Sequence, residues 1–236
     1  MNILGSLFQS SIGKKFLMAF TGLVLFGFVT GHLLGNLQIF LPSQKINAYG
    51  HMLESLGAGL WAIRLFLLVC LVIHVWLALK LTLENLAARP EAYGADYINR
   101  ATLASRIMGR TGLVVFAFLV YHLMDFTFRV QHPEWGEHTF RLTDGTMVRN
   151  VYAMMVEGFS RAGVSLFYIM AVGLLSYHLS HGIVSMVQTL GLKNEKWTRA
   201  LERCSIAYCW LYFLGNAAIP LAVLGWLPVL SGRIQH

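Results

Sequence analysis

The stretch that decides the fold is residues 16–41, FLMAFTGLVLFGFVTGHLLGNLQIFL, which contains no Asp, Glu, Lys or Arg. A helix needs about 20 apolar residues to cross the hydrocarbon core of a bilayer. Lipid offers no hydrogen-bond partner to free backbone groups, so such a run crosses as a helix. Residues 16–41 therefore predict a first transmembrane helix.

Four further runs have the same character, and few charges interrupt them. Asp125 is the only acidic residue inside them, and Pro220 and Pro228 are expected to kink or end the last run. Polar segments connect the runs, and no internal repeat or second domain is evident. The sequence predicts an all-α, five-transmembrane-helix bundle, a single membrane domain over residues 1–236 with spans at 16–41, 60–83, 111–128, 162–192 and 204–232.

Composition excludes a disordered chain, a nucleic-acid-binding tail and a disulfide scaffold, and it argues against a soluble globular enzyme. Of the 236 residues, 56% are hydrophobic and 12% are charged, too few charges to coat a water-facing surface. The net charge of +7 suggests nucleic-acid binding until the charges are placed. Eleven of the 18 Lys and Arg residues then fall on the N-terminal side of the membrane. By the positive-inside rule, this predicts an inner-membrane protein with a cytoplasmic N-terminus and an outer C-terminus.

Five of the nine histidines fall inside the predicted spans. Ionisable groups are costly in lipid and commonly mark function. Each of the first four spans supplies at least one, and the fifth supplies none. Zinc favours mixed ligands clustered at one depth, whereas bis-histidine haem needs two imidazoles from facing helices. The five histidines are His32, His74, His122, His178 and His181.

Small residues accompany these histidines. Gly27, Gly31 and Gly35 lie beside His32 at four-residue spacing, and Gly182 follows one turn after His178. Such a face admits a flat macrocycle, but it equally suits close helix–helix contact. At about 1.5 Å rise per residue, His32 is outermost and His74 innermost, so we do not expect them to share an iron. Two haems are the economical interpretation.

Three motifs resemble a known family. They are SIGKKFLMAFTG at 11–22, GHLLGN at 31–36 and HLSHGIVSMVQTLG at 178–191. They resemble the single-chain, five-helix cytochrome b subunit of succinate dehydrogenases and fumarate reductases. The resemblance extends over nearly the whole chain in length, number of spans and order of histidines.

The resemblance implies two b-type haems and partner subunits on the cytoplasmic face. These partners are a flavoprotein with FAD and an iron–sulfur protein, which carry the dicarboxylate chemistry. The chain would pass electrons between the iron–sulfur clusters and quinone, usually menaquinone. By position, His32 and His122 would ligate the outer haem, and His74 and His178 the inner haem. His181 would then be a neighbour of the inner haem. A dimer of the whole complex is compatible with the sequence.

The resemblance also implies an acidic proton acceptor for quinol after the first span, and spacing from His32 places Glu54 there. A solvated loop carboxylate is the alternative for Glu54. Asn47 and His51, in the same connection, are candidates to hydrogen-bond the quinone oxygens. Asp125, one turn from His122, is an alternative proton group. Some relatives carry an intramembrane glutamate where this chain has Ser176, which puts that proton route in doubt.

Haem propionates need cations or donors, and several cations near the ends of spans qualify without a choice among them. They are Lys14, Lys15, Arg64, Arg106, Arg110 and Arg161. Two other functions stay open. One is the cytochrome b anchor of a formate dehydrogenase or hydrogenase, and the other is a transporter with a histidine proton relay.

Overall fold

A computed structural model describes residues 8–87 and 103–225, with the backbone alone for 103–107. The described chain has seven α-helices: α1 (Ser11–Asn36), α2 (Ser43–Ser55), α3 (Ala58–Ala87), α4 (Leu103–His122), α5 (Val151–Phe159), α6 (Ala162–Thr189) and α7 (Thr198–Gly225). Strands β1 (Thr139–Arg141) and β2 (Met147–Arg149) form an antiparallel hairpin with Phe140 opposite Val148.

Five helices are long and apolar enough to cross a membrane: Ser11–Phe40, Ala58–Ala87, Met108–Thr127, Ala162–Thr189 and Thr198–Gly225. Large apolar side chains stay exposed along them, such as Trp61, Leu65 and Leu79 on α3, as expected for a lipid-facing surface. The prediction of an all-α, multi-pass membrane bundle is confirmed.

The ends of the spans differ from the predicted ones. The Ser10 hydroxyl accepts a hydrogen bond from the Gly13 N–H (3.0 Å), so α1 begins before its apolar run, in a segment that includes two lysines. Of the two outcomes expected at Pro220, a kink or an end of the fifth span, the end is wrong, because α7 continues through Pro220 to Gly225. Pro228 and the predicted end at residue 232 lie outside the described residues.

The predicted connections at 42–59 and 129–161 contain further folded structure. The first forms α2, and Gly57 then turns the chain at a φ of +53°. The second contains the hairpin, whose turn includes Gly145 at a φ of +88°, followed by α5. The Asn150 side chain caps α5 by accepting from the Ala153 N–H at 3.0 Å.

The chain divides into two compact units. Unit I comprises the described parts of Met1–Val29, Ile63–Leu113 and Leu175–Trp210. Unit II comprises the described parts of Thr30–Ala62, Val114–Leu174 and Leu211–His236. Unit II contains a hydrophobic core of Ile39, Ile46, Tyr152, Met155, Val156, Phe159, Tyr168, Ile219 and Val223.

Within unit II, Asn47 joins α2 to α5. Its side chain is fully buried; Oδ1 accepts from the Tyr152 N–H (3.0 Å), and Nδ2 donates to Asn150 Oδ1 (3.4 Å). Close by, a Cβ on Gly50 would lie 2.8 Å from Val151 Cγ2, so only glycine allows this approach of α2 to α5. The amide of Asn47 thus holds α2 in place.

We expect Asn47→Ala to destabilise the protein by about 1–3 kcal/mol, because it leaves the buried Tyr152 N–H without its acceptor. Thermal unfolding in detergent measures the change. Gln44→Ala, which removes an exposed hydrogen bond to Thr143 (3.1 Å) from the same helix, is the control and should stay within about 0.5 kcal/mol. Equal effects of the two substitutions would contradict this role for Asn47.

Candidate functional site

In unit I, His74 on α3 is held by a threonine and a glycine of α1. Its Nδ1 lies 3.2 Å from the Thr21 hydroxyl oxygen. A Cβ on Gly22 would lie 3.3 Å from His74 Cε1, so the imidazole packs closely against the backbone of α1. The first span thus positions the histidine of the second.

The same arrangement recurs at His178 on α6. Its Nδ1 lies 3.4 Å from the Thr111 hydroxyl oxygen, and its Cε1 lies 3.4 Å from where a Cβ on Gly112 would stand. His74 and His178 belong to the same compact unit, and each imidazole contacts a threonine of a neighbouring helix. Unit I therefore brings together two histidines from different helices, each fixed by a Thr-Gly pair.

The threonine contacts determine which imidazole nitrogen is available. Thr21 Oγ1 lies 2.9 Å from the Leu17 carbonyl oxygen, and Thr111 Oγ1 lies 3.0 Å from that of Met108. A hydroxyl that donates its one hydrogen to a carbonyl offers lone pairs to its other neighbour. Nδ1 of each histidine is then the protonated nitrogen, assigned from this network, and Nε2 keeps the lone pair that a metal requires.

His181, three residues after His178, has a different partner. Its Nε2 lies 3.1 Å from the Ser185 hydroxyl oxygen on the same helix. A Cβ on the adjacent Gly182 would meet no described atom within 4 Å, so space is open beside it. The roles predicted for His178, His181 and Gly182 stay predictions.

In unit II, His32 on α1 faces His122 at the end of α4. Their ring centroids are 5.8 Å apart with the planes at 82°. His32 Nε2 lies 3.1 Å from the Asn36 amide nitrogen. His122 Nδ1 is buried and finds no hydrogen-bond partner among the described residues. The structure therefore brings this predicted pair together.

The glycines beside His32 differ in what surrounds them. A Cβ on Gly31 or Gly27 would meet no described atom within 4 Å, and His32 itself is exposed. A Cβ on Gly35 would lie 2.7 Å from the Tyr49 ring, so this glycine makes room for α2. Gly31 thus borders open space, whereas Gly35 is a packing position.

Asp125 lies in a π-helical turn, Leu123–Thr127, that continues α4. It is 1% exposed, and its Oδ2 accepts a hydrogen bond from the Tyr168 hydroxyl at 3.2 Å. Its Oδ1 has no partner among the described residues. Ser176, the other polar residue singled out within the spans, is also buried, and its Oγ has no partner in the described chain.

Glu54, the predicted proton acceptor, forms an ion pair with Arg149. Its Oε1 lies 3.1 Å from Arg149 Nη1, and both side chains are partly exposed. Arg129, with a φ of +53°, belongs to the same charged group. Burial lowers the pKa of the Arg129 guanidinium and the charge of Arg149 lowers it further, while Glu54 opposes both.

The other two candidate quinone ligands occupy different surroundings. Asn47 already bonds within the protein on both sides of its amide. His51 is exposed and lies near the hairpin turn. The pKa of Asp144 in that turn is lowered, chiefly by a backbone hydrogen bond from Thr146 and to a smaller extent by His51. Quinone contacts by Asn47 and His51 stay predictions.

Of the cations considered for propionates, Lys14 is buried and forms an ion pair with Glu84 in unit I. Arg106 has no described side chain. The remaining four, Lys15, Arg64, Arg110 and Arg161, are exposed.

Each histidine pair has the number of imidazoles that a bis-histidine haem would use. Bis-histidine haem requires only two imidazoles. Unit I supplies two with the tautomer that leaves Nε2 available, and unit II supplies two with open space along Gly31. Nε2 of His32 would exchange its contact with Asn36 for the iron.

Sequence reasoning found the histidines but missed the residues that hold them. Thr21 and Thr111 hold His74 and His178; Tyr168, which bonds to Asp125, and Arg149, which pairs with Glu54, were missed as well. One signal was available: a Thr-Gly dipeptide occurs in the first span at 21–22 and 30–31 and in the third at 111–112. Tyr168 and Arg149 gave no comparable signal, since their partners Asp125 and Glu54 are distant in the sequence.

Comparison of the chain with models of protein families, with curated proteins and with solved structures gives no match.

We expect Thr21→Val and Thr111→Val each to destabilise the protein by about 0.5–1.5 kcal/mol, the net value of a typical hydrogen bond. Each substitution should also allow both tautomers of the neighbouring histidine, which ¹⁵N-histidine NMR would detect. Thr82→Val is a matched control, because the Thr82 hydroxyl bonds only to the Ala78 carbonyl (2.7 Å) among the described contacts. A control that loses as much stability would refute the special role of Thr21 and Thr111.

Proposed function

We propose that this chain is the two-haem cytochrome b subunit that anchors a succinate dehydrogenase or fumarate reductase to the cytoplasmic membrane. One observation carries the proposal: each compact unit contains two histidines from different spanning helices, facing each other at 5.8 Å in unit II and each held by a threonine in unit I. His32 and His122 would ligate one haem, and His74 and His178 the other. The motifs around His32 and His178, which resemble those of this cytochrome b family, give further support to the proposal.

Bound haems would supply two one-electron iron couples between quinone and the iron–sulfur clusters of a partner subunit. The residues of this chain hold the ligands. Thr21 and Thr111 fix Nδ1 of His74 and His178, and the glycines next to these threonines set how closely each imidazole approaches the neighbouring helix. Histidines held in this way would need little rearrangement when a bound haem changes oxidation state.

The quinone site would lie in unit II, beside Glu54. Oxidation of a quinol releases two electrons and two protons, so the site needs a proton acceptor at its edge. The carboxylate of Glu54 is partly exposed, and its ion pair with Arg149 fixes its position against β2. Asn47 anchors the helix that carries Glu54. The dicarboxylate reaction would belong to the partner flavoprotein.

We expect the purified chain to give the reduced-minus-oxidised α band of b-type haem, with two haems per chain by pyridine haemochrome. His32→Ala and His122→Ala should each remove the same haem component, and His74→Ala and His178→Ala the other. His138→Ala, in the connection of α4 to α5, should leave both components in place.

Absence of the band, or full intensity in all four ligand variants, would overturn the proposal. His181→Ala distinguishes the two candidates in α6, since loss of a haem there would make His181 the ligand. Co-purification decides the partner: flavin with an iron–sulfur protein supports the proposal, and molybdenum or nickel would replace it with a formate dehydrogenase or hydrogenase. Proton-coupled transport without haem would favour a transporter.

We expect Glu54→Gln to lower quinol-driven fumarate reduction by the isolated complex by about 10²-fold, the lower range for loss of a general base. Both haem bands should remain. Glu157→Gln is the control: its carboxylate lies in unit II, is similarly exposed and pairs with His138 at 3.5 Å. Unchanged quinol oxidation in Glu54→Gln would show that Glu54 is a solvated surface carboxylate.

A further inference from the structure

In unit II, two buried polar atoms without a hydrogen-bond partner among the described residues belong to side chains one helical turn apart. They are Asp125 Oδ1 and His122 Nδ1, and no described residue hydrogen-bonds to either. Buried polar atoms in native proteins nearly always have a partner. Their residues are three positions apart, where α4 passes into the π-helical turn. Such turns are frequent at functional sites.

Tyr168 of α6 links the two residues. Its hydroxyl donates to Asp125 Oδ2 at 3.2 Å, and its ring meets the His122 ring with centroids 6.0 Å apart and planes at 66°. Tyr168 thus holds Oδ2 of the Asp125 carboxylate, while Oδ1 is left as an acceptor. The neighbouring His122 Nδ1 has no acceptor among the described residues. These three residues make up the Asp125 cluster.

We propose that Asp125 is the positioning residue of His122, accepting the Nδ1 proton of the imidazole through one ordered water. This inference rests on the proposed function, in which His122 binds haem iron. Histidines that bind a metal almost always donate their other ring N–H to a carboxylate, a carbonyl or water. Asp125 is the acceptor that the structure places within one turn of His122, and Tyr168 holds it there.

The acceptor proposed for His122 in unit II differs in charge from the acceptors of His74 and His178 in unit I. His74 and His178 contact neutral threonine hydroxyls, whereas His122 would contact a carboxylate. A carboxylate strengthens the negative character of the imidazole and favours the ferric over the ferrous state. A haem bound in unit II would therefore have a lower reduction potential than it would have with a neutral acceptor.

Redox titration of the purified complex, followed by the haem bands and by electron paramagnetic resonance, tests this inference. Asp125→Asn should raise the potential of the haem that depends on His32 and His122 and leave the other unchanged. A tenfold change in the ferric–ferrous equilibrium corresponds to about 59 mV. Tyr168→Phe, which removes the anchor of Asp125 but keeps its carboxylate, should shift the potential of the same haem by less.

Thr21→Val is the matched control, because it should shift only the haem that depends on His74. An unchanged potential in Asp125→Asn, or equal shifts of both haems, would overturn the inference. If Asp125→Asn does not assemble, Tyr168→Phe decides: a shift confined to the unit II haem supports the role, and no shift refutes it. A wild-type chain without haem would instead refute the proposed function, and it is recognised before any variant is made.

Discussion

The structure depends on one constraint: inside a bilayer no water is available to satisfy a polar atom. The helices meet it for the backbone, and side chains meet it locally. Thr21 and Thr111 turn their hydroxyls back to carbonyls of their own helix, Lys14 is buried against Glu84, and Tyr168 donates to Asp125. Where most polar groups in the spans are satisfied, those that are not stand out.

This constraint makes the histidines informative. His74 and His178 place Nδ1 against a threonine whose hydrogen is donated to a carbonyl, which orients the ring and leaves the second nitrogen for another partner. The repeated use of threonine followed by glycine shows that the same local solution serves two different pairs of helices.

The sequence predicts the five spans well, because long apolar runs without charge have one stable form in lipid. It predicts their ends less well: α1 gains a turn from the Ser10 cap, and α7 passes through Pro220. It did not predict α2, the hairpin or α5, since short segments are defined by contacts distant in sequence, such as Asn47 with Tyr152. The partners of Asp125 and Glu54 were hidden for the same reason.

The two units differ most in where negative charge lies relative to their histidines. In unit I the hydroxyl partners are neutral, and the buried Lys14 pairs with the partly exposed Glu84. In unit II a buried carboxylate without a described cation partner lies one turn from His122, and a half-exposed carboxylate on α2 faces Arg149. Groups able to accept protons are thus associated with the unit where a quinol would be oxidised. Under the proposed function, unit I, with neutral hydroxyl partners for both imidazoles, would serve electron transfer.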